Sequence, residues 1–199
     1  NERHVCGILA VADEVRPEAP AAIAALRRLG IRHVVMLTGD NRATAEVIAR
    51  RTGVDEIQAE LLPQDKVSAV AQLVARYRSV AMIGDGVNDA PAMARATLGI
   101  AMGAAGTDAA IEAADIALMS DDLSRLPWLV AHSRRALRII RQNITLSLGV
   151  KALFVGLTFG GYASLWAAIA ADMGVSLLVI ANALRLLAAS YSIQPGAAR

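Results

Sequence analysis

The chain has 199 residues, of which 55% are hydrophobic and 19% charged, a balance that excludes a disordered protein and indicates extensive burial in a core or in lipid. Its formal net charge of +2, from 20 basic and 18 acidic residues, is too even for a nucleic-acid-binding surface, so no nucleic-acid partner is expected. The single cysteine, Cys6, excludes an internal disulfide within these residues, and we interpret it as a buried core thiol.

Short apolar runs alternate with helical patterns from about residue 5 to about residue 120. This alternation predicts an α/β fold with a parallel sheet and helices on both faces. In such a sheet, ligands bind at the carboxyl ends of the strands, so the polar residues that follow the strands are the candidates for a site. The runs predict strands at 5–12, 31–37, 79–84, 98–102 and 115–119, with helices near 18–29, 41–52, 64–77 and 107–114.

Beyond residue 142 the sequence becomes strongly apolar. Residues 144–163 contain one charge, Lys151, and residues 165–189 contain Asp172 and Arg185. At about 1.5 Å per residue, each stretch is long enough to cross a hydrocarbon layer about 30 Å thick. The short turn around Gly160 and Gly161 then predicts a transmembrane helical hairpin, although two buried helices of a soluble core remain an alternative.

Basic residues flank the hairpin at its outer ends. Arg185 lies near the end of the second stretch, and four arginines precede the first: Arg134, Arg135, Arg138 and Arg141. By the positive-inside rule, both outer ends and the preceding soluble part are predicted to be cytoplasmic. We divide the chain into a soluble domain (1–125), a basic linker helix (126–142), two transmembrane helices (143–190) and a cytoplasmic tail (191–199).

The most specific local signal is Gly84-Asp85-Gly86-Val87-Asn88-Asp89, which directly follows a predicted strand. Its glycines allow the backbone to turn tightly at the sheet edge, and two carboxylates four residues apart can converge on one point. Hard oxygen ligands in that arrangement suit Mg²⁺.

Two other polar segments are predicted at the same edge. Thr38-Gly39-Asp40 ends a strand and precedes a helix, where a hydroxyl and backbone N–H groups form a phosphate cradle. Lys66 lies at the start of a helix and can place a positive charge on the phosphate. Each segment alone has an ordinary explanation as a cap, a solvated lysine or a turn.

In this order, the Thr38, Lys66 and Asp85 segments resemble the phosphorylation domain of P-type ATPases, which has the haloacid dehalogenase-like fold. The resemblance implies that Thr38, Gly39, Asp40 and Lys66 form the phosphoryl site, that Asp85 and Asp89 belong to the Mg²⁺ site, and that Asn88 completes it. The segment 12–17, with Asp13 and Arg16, resembles the region near the hinge to the nucleotide domain, and both residues are assigned to the cofactor-binding set.

One element of this family's pattern does not occur in the chain. The nucleophilic aspartate of the family lies in an Asp-Lys-Thr-Gly-Thr motif, which the sequence lacks. We therefore expect the chain to start within a longer protein, whose missing N-terminal part supplies the nucleophile, the ATP-binding domain and earlier membrane helices. The chain alone is not expected to hydrolyse ATP.

Ionisable residues within apolar spans are costly and are functional candidates. Lys151 and Asp172 are predicted to lie about 10 Å apart along the membrane normal, within reach of one another. The last helix resembles that of the zinc, cadmium and lead branch of P-type ATPases, which implies that Asp172 binds the transported divalent cation and that Lys151 is its counter-charge. A purely structural Lys151–Asp172 pair is the alternative.

The resemblance implies an integral membrane protein, in the bacterial inner membrane and in contact with membrane lipid. Two other functions stay open at this stage. One is a membrane-anchored haloacid dehalogenase-like phosphatase, which would need an Asp-x-Asp nucleophile where residues 11–15 offer only Asp13, and the other is a truncated, non-catalytic module.

Overall fold

The computed structural model describes residues 15–85, 88–103, 112, 114–162 and 164–190. Residues 188–190 are described by their backbone only. The strand at 98–102 has the predicted bounds, whereas those predicted at 31–37, 79–84 and 115–119 are shorter because only part of each run pairs with a neighbouring strand. The predicted strand 5–12 and most of the predicted helix 107–114 lie outside the described residues. The strands are β1 (Val35–Leu37), β2 (Glu56–Gln58), β3 (Ala81–Gly84), β4 (Leu98–Met102) and β5 (Ile116–Leu118); the helices are α1 (Ala19–Arg28), α2 (Arg42–Thr52), α3 (Pro63–Tyr77), α4 (Ala90–Met93), α5 (Arg125–Phe159) and α6 (Leu165–Ser190).

All described strand pairs are parallel, which confirms the predicted α/β class. β1 pairs with β2, and β4 lies between β3 and β5. Among the described strands these are two separate sheets, since no ladder joins β1 to β3. The sequence analysis did not predict β2, because two of its three residues are polar and no apolar run marks it.

One apolar core connects the two sheets. Met82 of β3, Ala101 of β4 and Val70 of α3 are buried together, and Leu37 of β1 packs against them. Met93 of α4 belongs to the same cluster and is almost fully buried. The core therefore holds the first turns of α3 and α4 close to the carboxyl ends of β1 and β3.

Local sequence signals fix the starts of α2 and α3. The Asn41 side chain accepts a hydrogen bond from the Thr44 N–H at 2.9 Å and caps α2. Pro63 occupies the first turn of α3, and the Asp65 carboxylate accepts from the Leu62 N–H at 3.1 Å. These caps set where the loops that precede the two helices end.

The chain divides into two compact units, residues 1–127 and 128–199. α5 begins three residues before the second unit and runs without a break over 35 residues, so the predicted linker helix and first span form one continuous helix. No proline follows Pro127 within it, and nothing in the sequence interrupts its hydrogen bonds. α5 ends at Phe159, before the predicted 163, because Gly161 adopts a positive φ of 73° there.

Both long helices are long and apolar enough to cross a membrane. Their large apolar side chains are exposed, with Phe159 91%, Trp166 80% and Leu177 69% accessible. Buried helices of a soluble core would not leave such side chains accessible, so the soluble-core alternative finds no support in the described hairpin.

Partly buried side chains recur along α5 and α6 at intervals of three and four residues, as in a coiled-coil seam. We call these positions the hairpin seam. On α5 they are Asn143, Ser147, Val150, Phe154 and Leu157. On α6 they are Ala168, Ala171, Val175, Val179, Asn182 and Leu186.

Candidate functional site

The segment of Thr38 directly follows β1 and is held by hydrogen bonds within its own turn. The Thr38 hydroxyl donates to an Asp40 carboxylate oxygen at 2.9 Å and accepts from the Asp40 N–H at 3.1 Å. The Thr38 N–H donates to the Gln58 carbonyl at 3.0 Å. Because the hydroxyl proton is directed at Asp40, donation to a phosphoryl oxygen requires the hydroxyl to rotate away from that carboxylate.

The loop after β2 packs directly on this turn. The Glu60 N–H donates to the Asp40 carbonyl at 2.9 Å, and the Leu61 N–H donates to the Thr38 carbonyl at 3.1 Å. A Cβ at Gly39 would lie 3.3 Å from the Leu61 carbonyl oxygen, so glycine permits the close approach of the two loops. Sequence reasoning missed this loop; the available signal was the interval from Gly53 to Pro63, which is long enough for a short strand.

Glu60 adopts a φ of 62°, in the left-handed region that non-glycine residues rarely occupy. Such conformations persist where the surrounding structure over-determines them, and they concentrate at functional sites. Here the neighbouring hydrogen bonds to Asp40 and Thr38 supply that constraint.

Lys66 and Asp89 form a close, partly buried ion pair. Lys66 Nζ lies 2.7 Å from Asp89 Oδ1, and their side chains are only 19% and 15% exposed. Both residues precede core contacts, Val67 and Ala90, which fix the backbone on each side of the pair. Loss of either partner would leave a partly buried charge uncompensated.

Gly84 makes room for the Asp89 side chain. A Cβ added at Gly84 would lie 2.7 Å from both Cβ and Oδ2 of Asp89, closer than atoms can approach without displacement. The glycine before Asp85 is therefore required by the position of Asp89, four residues after Asp85, as well as by the turn.

Asp85 and Asn88 are exposed at the end of β3, on either side of residues 86–87, which lie outside the described residues. The Thr38 turn is linked by hydrogen bonds to the 59–62 loop, that loop leads directly into α3, and Lys66 of α3 is paired with Asp89. The structure therefore joins the Thr38, Lys66 and Asp89 segments in one continuous set of contacts. Their catalytic roles stay predictions.

Arg16 makes contacts that the sequence analysis did not foresee. Its guanidinium donates to the Asp121 carbonyl and to Asp121 Oδ2, both at 2.7 Å. The side-chain hydrogen bond to Asp121 is the main cause that raises the pKa of Arg16 further above its ordinary value. Arg16 thus ties the start of the described chain to the loop after β5, while Asp13 lies outside the described residues.

A second perturbed group lies in the same loop. The pKa of the Asp122 carboxyl is lowered, first by the side-chain hydrogen bond from Ser124 and then by the Ser124 N–H, which donates at 2.9 Å. The ionised carboxylate is thereby favoured in the turn that leads into α5.

The hairpin brings together two of the three charged residues of the apolar stretches. Lys151 Nζ of α5 lies 3.8 Å from Asp172 Oδ1 of α6, and the two side chains are 62% and 65% exposed. Each directly follows a seam position, Val150 or Ala171, so the pair lies beside the seam.

Within the described part of the chain, no group of three or more His, Cys, Asp and Glu residues could hold a metal ion. The two described histidines have aromatic neighbours instead. His33 stacks on Tyr77 at 4.8 Å between ring centroids, and His132 stacks on Trp128 at 5.0 Å.

The first unit matches a known protein family, and nearly the whole chain matches known ATPases. Residues 1–97 match the family of haloacid dehalogenase-like hydrolases. A cadmium-transporting ATPase of Staphylococcus aureus is 53% identical over 186 residues, which are 94% of this chain and 26% of that protein. A cadmium, zinc and cobalt-transporting ATPase of Bacillus subtilis (strain 168) is 44% identical over 189 residues, 94% of this chain and 27% of that protein.

The architecture matches as well. The crystal structure of a zinc-transporting PIB-type ATPase in its E2.Pi state superposes with a TM-score of 0.80 at 48% identity, covering 88% of this chain and 28% of that chain. The chain thus spans about a quarter of the length of the relatives that it matches. On this likeness in both sequence and structure, the chain is a close homologue of one segment of P-type ATPases, with a haloacid dehalogenase-like domain and two long apolar helices.

Proposed function

We propose that this chain is part of an ATP-driven pump that exports divalent heavy-metal cations, Zn²⁺, Cd²⁺ or Pb²⁺, through an aspartyl-phosphate intermediate. The observation that carries the proposal is the Lys151–Asp172 ion pair between two long apolar helices, on a chain that also carries the Lys66–Asp89 pair. The names of the matched ATPases support the substrate class.

In this proposal, the soluble unit handles the phosphoryl group. Thr38 donates its hydroxyl hydrogen bond to a phosphoryl oxygen once it leaves Asp40, and the Gly39 and Asp40 turn positions it. Lys66, held by Asp89, supplies positive charge beside the phosphoryl group. Phosphoryl transfer depends chiefly on such positioning and charge neutralisation. The phosphorylated aspartate and the ATP-binding domain would come from other parts of the longer protein, because this chain has no Asp-Lys-Thr-Gly-Thr motif.

The residues at the end of β3 fit Mg²⁺. Asp85, Asn88 and Asp89 offer only oxygen ligands of the kind that Mg²⁺ prefers, and Mg²⁺ is commonly held by one or two carboxylates together with phosphate and water. We assign Asp85 as the direct ligand, with Asn88 and Asp89, which binds Lys66, completing the site. When bound, the ion would neutralise charge on the transferred group.

The membrane unit receives the cation. A carboxylate suits a divalent borderline cation better than Cu(I), which favours thiolate and thioether ligands. The Asp172 carboxylate would bind the cation, and the Lys151 ammonium would compensate that carboxylate when the cation has left. An uncompensated carboxylate within lipid is costly, which gives the ammonium its role in the state without a bound cation.

Location follows from the same arrangement. We place the two apolar helices in a bacterial inner membrane, in contact with lipid, with the soluble unit on the cytoplasmic side. The arginines at 134, 135, 138 and 141 support this orientation.

The test is Asp172→Ala in the longer protein, reconstituted in lipid vesicles. We expect Zn²⁺-stimulated ATP hydrolysis to fall at least about tenfold, because the cation loses its carboxylate ligand while the phosphoryl site is unchanged. Met173→Ala is the matched control, since Met173 neighbours Asp172 on α6 and is 67% exposed. Unchanged Zn²⁺ stimulation in Asp172→Ala would refute the proposed cation site.

A further inference from the structure

A group of amide side chains joins α5 and α6 away from the Lys151–Asp172 pair. The Asn182 amide nitrogen donates to Asn143 Oδ1 at 2.8 Å, and the Asn143 amide nitrogen donates to the Val179 carbonyl at 3.4 Å. Arg185 NH1 donates to Asn182 Oδ1 at 2.9 Å. Sequence analysis did not single out either asparagine.

Both asparagines occupy seam positions, where the other residues are mainly small or aliphatic. Apolar seams of this kind tolerate slippage between helices, because one apolar contact replaces another at similar energy. A single polar residue at a seam position specifies register, since slippage would leave its amide without partners. The hydrogen bonds that Asn143 makes to Asn182 and to the Val179 carbonyl connect the two helices at the observed register.

The same register places the charged pair. Lys151 follows Asn143 by eight residues on α5, and Asp172 precedes Asn182 by ten residues on α6. At about 1.5 Å per residue these intervals are about 12 and 15 Å, a mismatch that the long lysine side chain covers. A slip of one helical turn, about 5.4 Å, in the direction that widens this mismatch would raise it to about 8 Å and separate the ion pair, which is 3.8 Å long at the observed register.

We propose that Asn143 and Asn182 are positioning residues that fix the register of the α5–α6 hairpin and so hold Lys151 opposite Asp172. The inference rests on the proposed cation site and extends it. The hydrogen bonds already made favour positioning over cation ligation: the Asn143 oxygen and nitrogen both bind α6, and the Asn182 oxygen receives Arg185.

Register can be read directly by cross-linking. Val150 lies seven residues beyond Asn143, and Val175 lies seven residues before Asn182, so the two valines take equivalent seam positions two turns further along. In the longer protein, Val150→Cys is combined with Val175→Cys or, as an out-of-register pair, with Ala168→Cys. A short bifunctional thiosulfonate links them, and mass spectrometry identifies the linked peptides.

With both asparagines intact, we expect the 150–175 link to exceed the 150–168 link by at least about fivefold. With Asn143→Leu or Asn182→Leu, that preference should fall at least about threefold, and the Zn²⁺ concentration for half-maximal ATPase stimulation should rise by at least about threefold. Asn143→Ser, whose hydroxyl is too short to bridge the helices, should act in the same direction if a leucine variant fails to insert. Ser147→Ala, which removes a polar group from the same seam, is the control and should change neither quantity.

An unchanged preference for the 150–175 link in the asparagine variants would overturn the inference, and so would a changed preference with unchanged Zn²⁺ dependence. The cross-links do not require transport. Failure of the proposed cation site would instead appear as Asp172→Ala with normal Zn²⁺ stimulation, so the two failures are distinguishable.

Discussion

Asp89 lies at a point where packing and charge constrain the same side chain. One of its carboxylate oxygens binds Lys66 at 2.7 Å, while the other lies over Gly84 with no space for an added methyl group. The backbone after it is held by Ala90, which packs on the core. Small backbone changes at β3 are therefore transmitted directly to the carboxylate that neutralises Lys66.

Gly84→Ala should uncouple this arrangement. The new methyl group must displace Asp89, and the Lys66 ammonium then loses the partner that fixes its position in the proposed phosphoryl site. A misplacement of about 1 Å can lower turnover by about 100-fold, and we expect a loss of this order in metal-stimulated ATP hydrolysis. Gly149→Ala is the control, since an added Cβ there meets no atom within 4 Å. Normal turnover in Gly84→Ala would contradict a positioning role for Asp89.

Asp122 offers a test of local electrostatics at the start of α5. Hydrogen bonds from Ser124 lower the pKa of Asp122, so the ionised form is stabilised in the fold. This stabilisation is present above the pKa of the unfolded chain and is lost as the pH falls through the lower pKa of the folded state. In carboxyl-labelled protein, NMR titration of Asp122 should give a midpoint below that of an ordinary aspartate, and Ser124→Ala should raise it. An unaltered midpoint in Ser124→Ala would assign the shift to another cause.

At the scale of elements, the sequence predicted what depends on periodicity and local chemistry. The predicted helices at 18–29, 41–52 and 64–77 agree with α1, α2 and α3 within two residues, because caps and apolar spacing mark them. β2 was missed because its pairing with β1 is a tertiary contact without an apolar signature. The division between linker helix and first span stays a prediction, because the backbone is helical on both sides of it and does not mark it.

Contacts between distant residues were the least predictable part of the site. The residue types of the Thr38, Lys66 and Asp89 segments and their order along the chain indicated a site. Lys151 and Asp172 stood out because they are charged residues within apolar stretches. The Arg16–Asp121 pair joins residues 105 positions apart, and the Asn143–Asn182 contact joins two polar residues with common local explanations. Neither has a local pattern, so only the fold reveals them.

The packing of α4 against the sheet predicts how much one of its side chains contributes to the free energy of unfolding. Met93 is 1% exposed within the core that joins both sheets, so Met93→Ala should lower the free energy of unfolding by about 2–5 kcal/mol. Met119→Ala is the matched control at a side chain that is 64% exposed, and it should stay within about 0.5 kcal/mol. Denaturant unfolding of the solubilised protein measures both, and equal values would mean that α4 does not support the core.

For the whole molecule, the proposed phosphoryl site and the proposed cation site lie in different units of the chain. The soluble unit holds the Lys66–Asp89 pair, and the membrane unit holds the Lys151–Asp172 pair. An ATP-driven pump requires that the state of one site alters the affinity of the other, and this coupling is reciprocal for binding free energies. A change confined to the membrane pair should therefore be visible in the dependence of ATP hydrolysis on metal.

Lys151→Met provides that change. In the proposed cation site, the Lys151 ammonium, 3.8 Å from Asp172, competes with the cation for that carboxylate, so its removal should favour the cation-bound state. We expect the Zn²⁺ concentration for half-maximal ATPase stimulation to fall by about tenfold, the factor that corresponds to about 1.4 kcal/mol, while maximal turnover also falls because release is slower. Lys151→Arg keeps the positive charge and should stay closer to the parent in both quantities. Zn²⁺-dependent ATP hydrolysis, measured together with Zn²⁺ occupancy, separates this outcome from simple loss of folding, which would lower occupancy instead. If Lys151→Met weakened Zn²⁺ binding although the protein was fully inserted in the membrane, the lysine would be a structural partner of Asp172 and not a competitor of the cation.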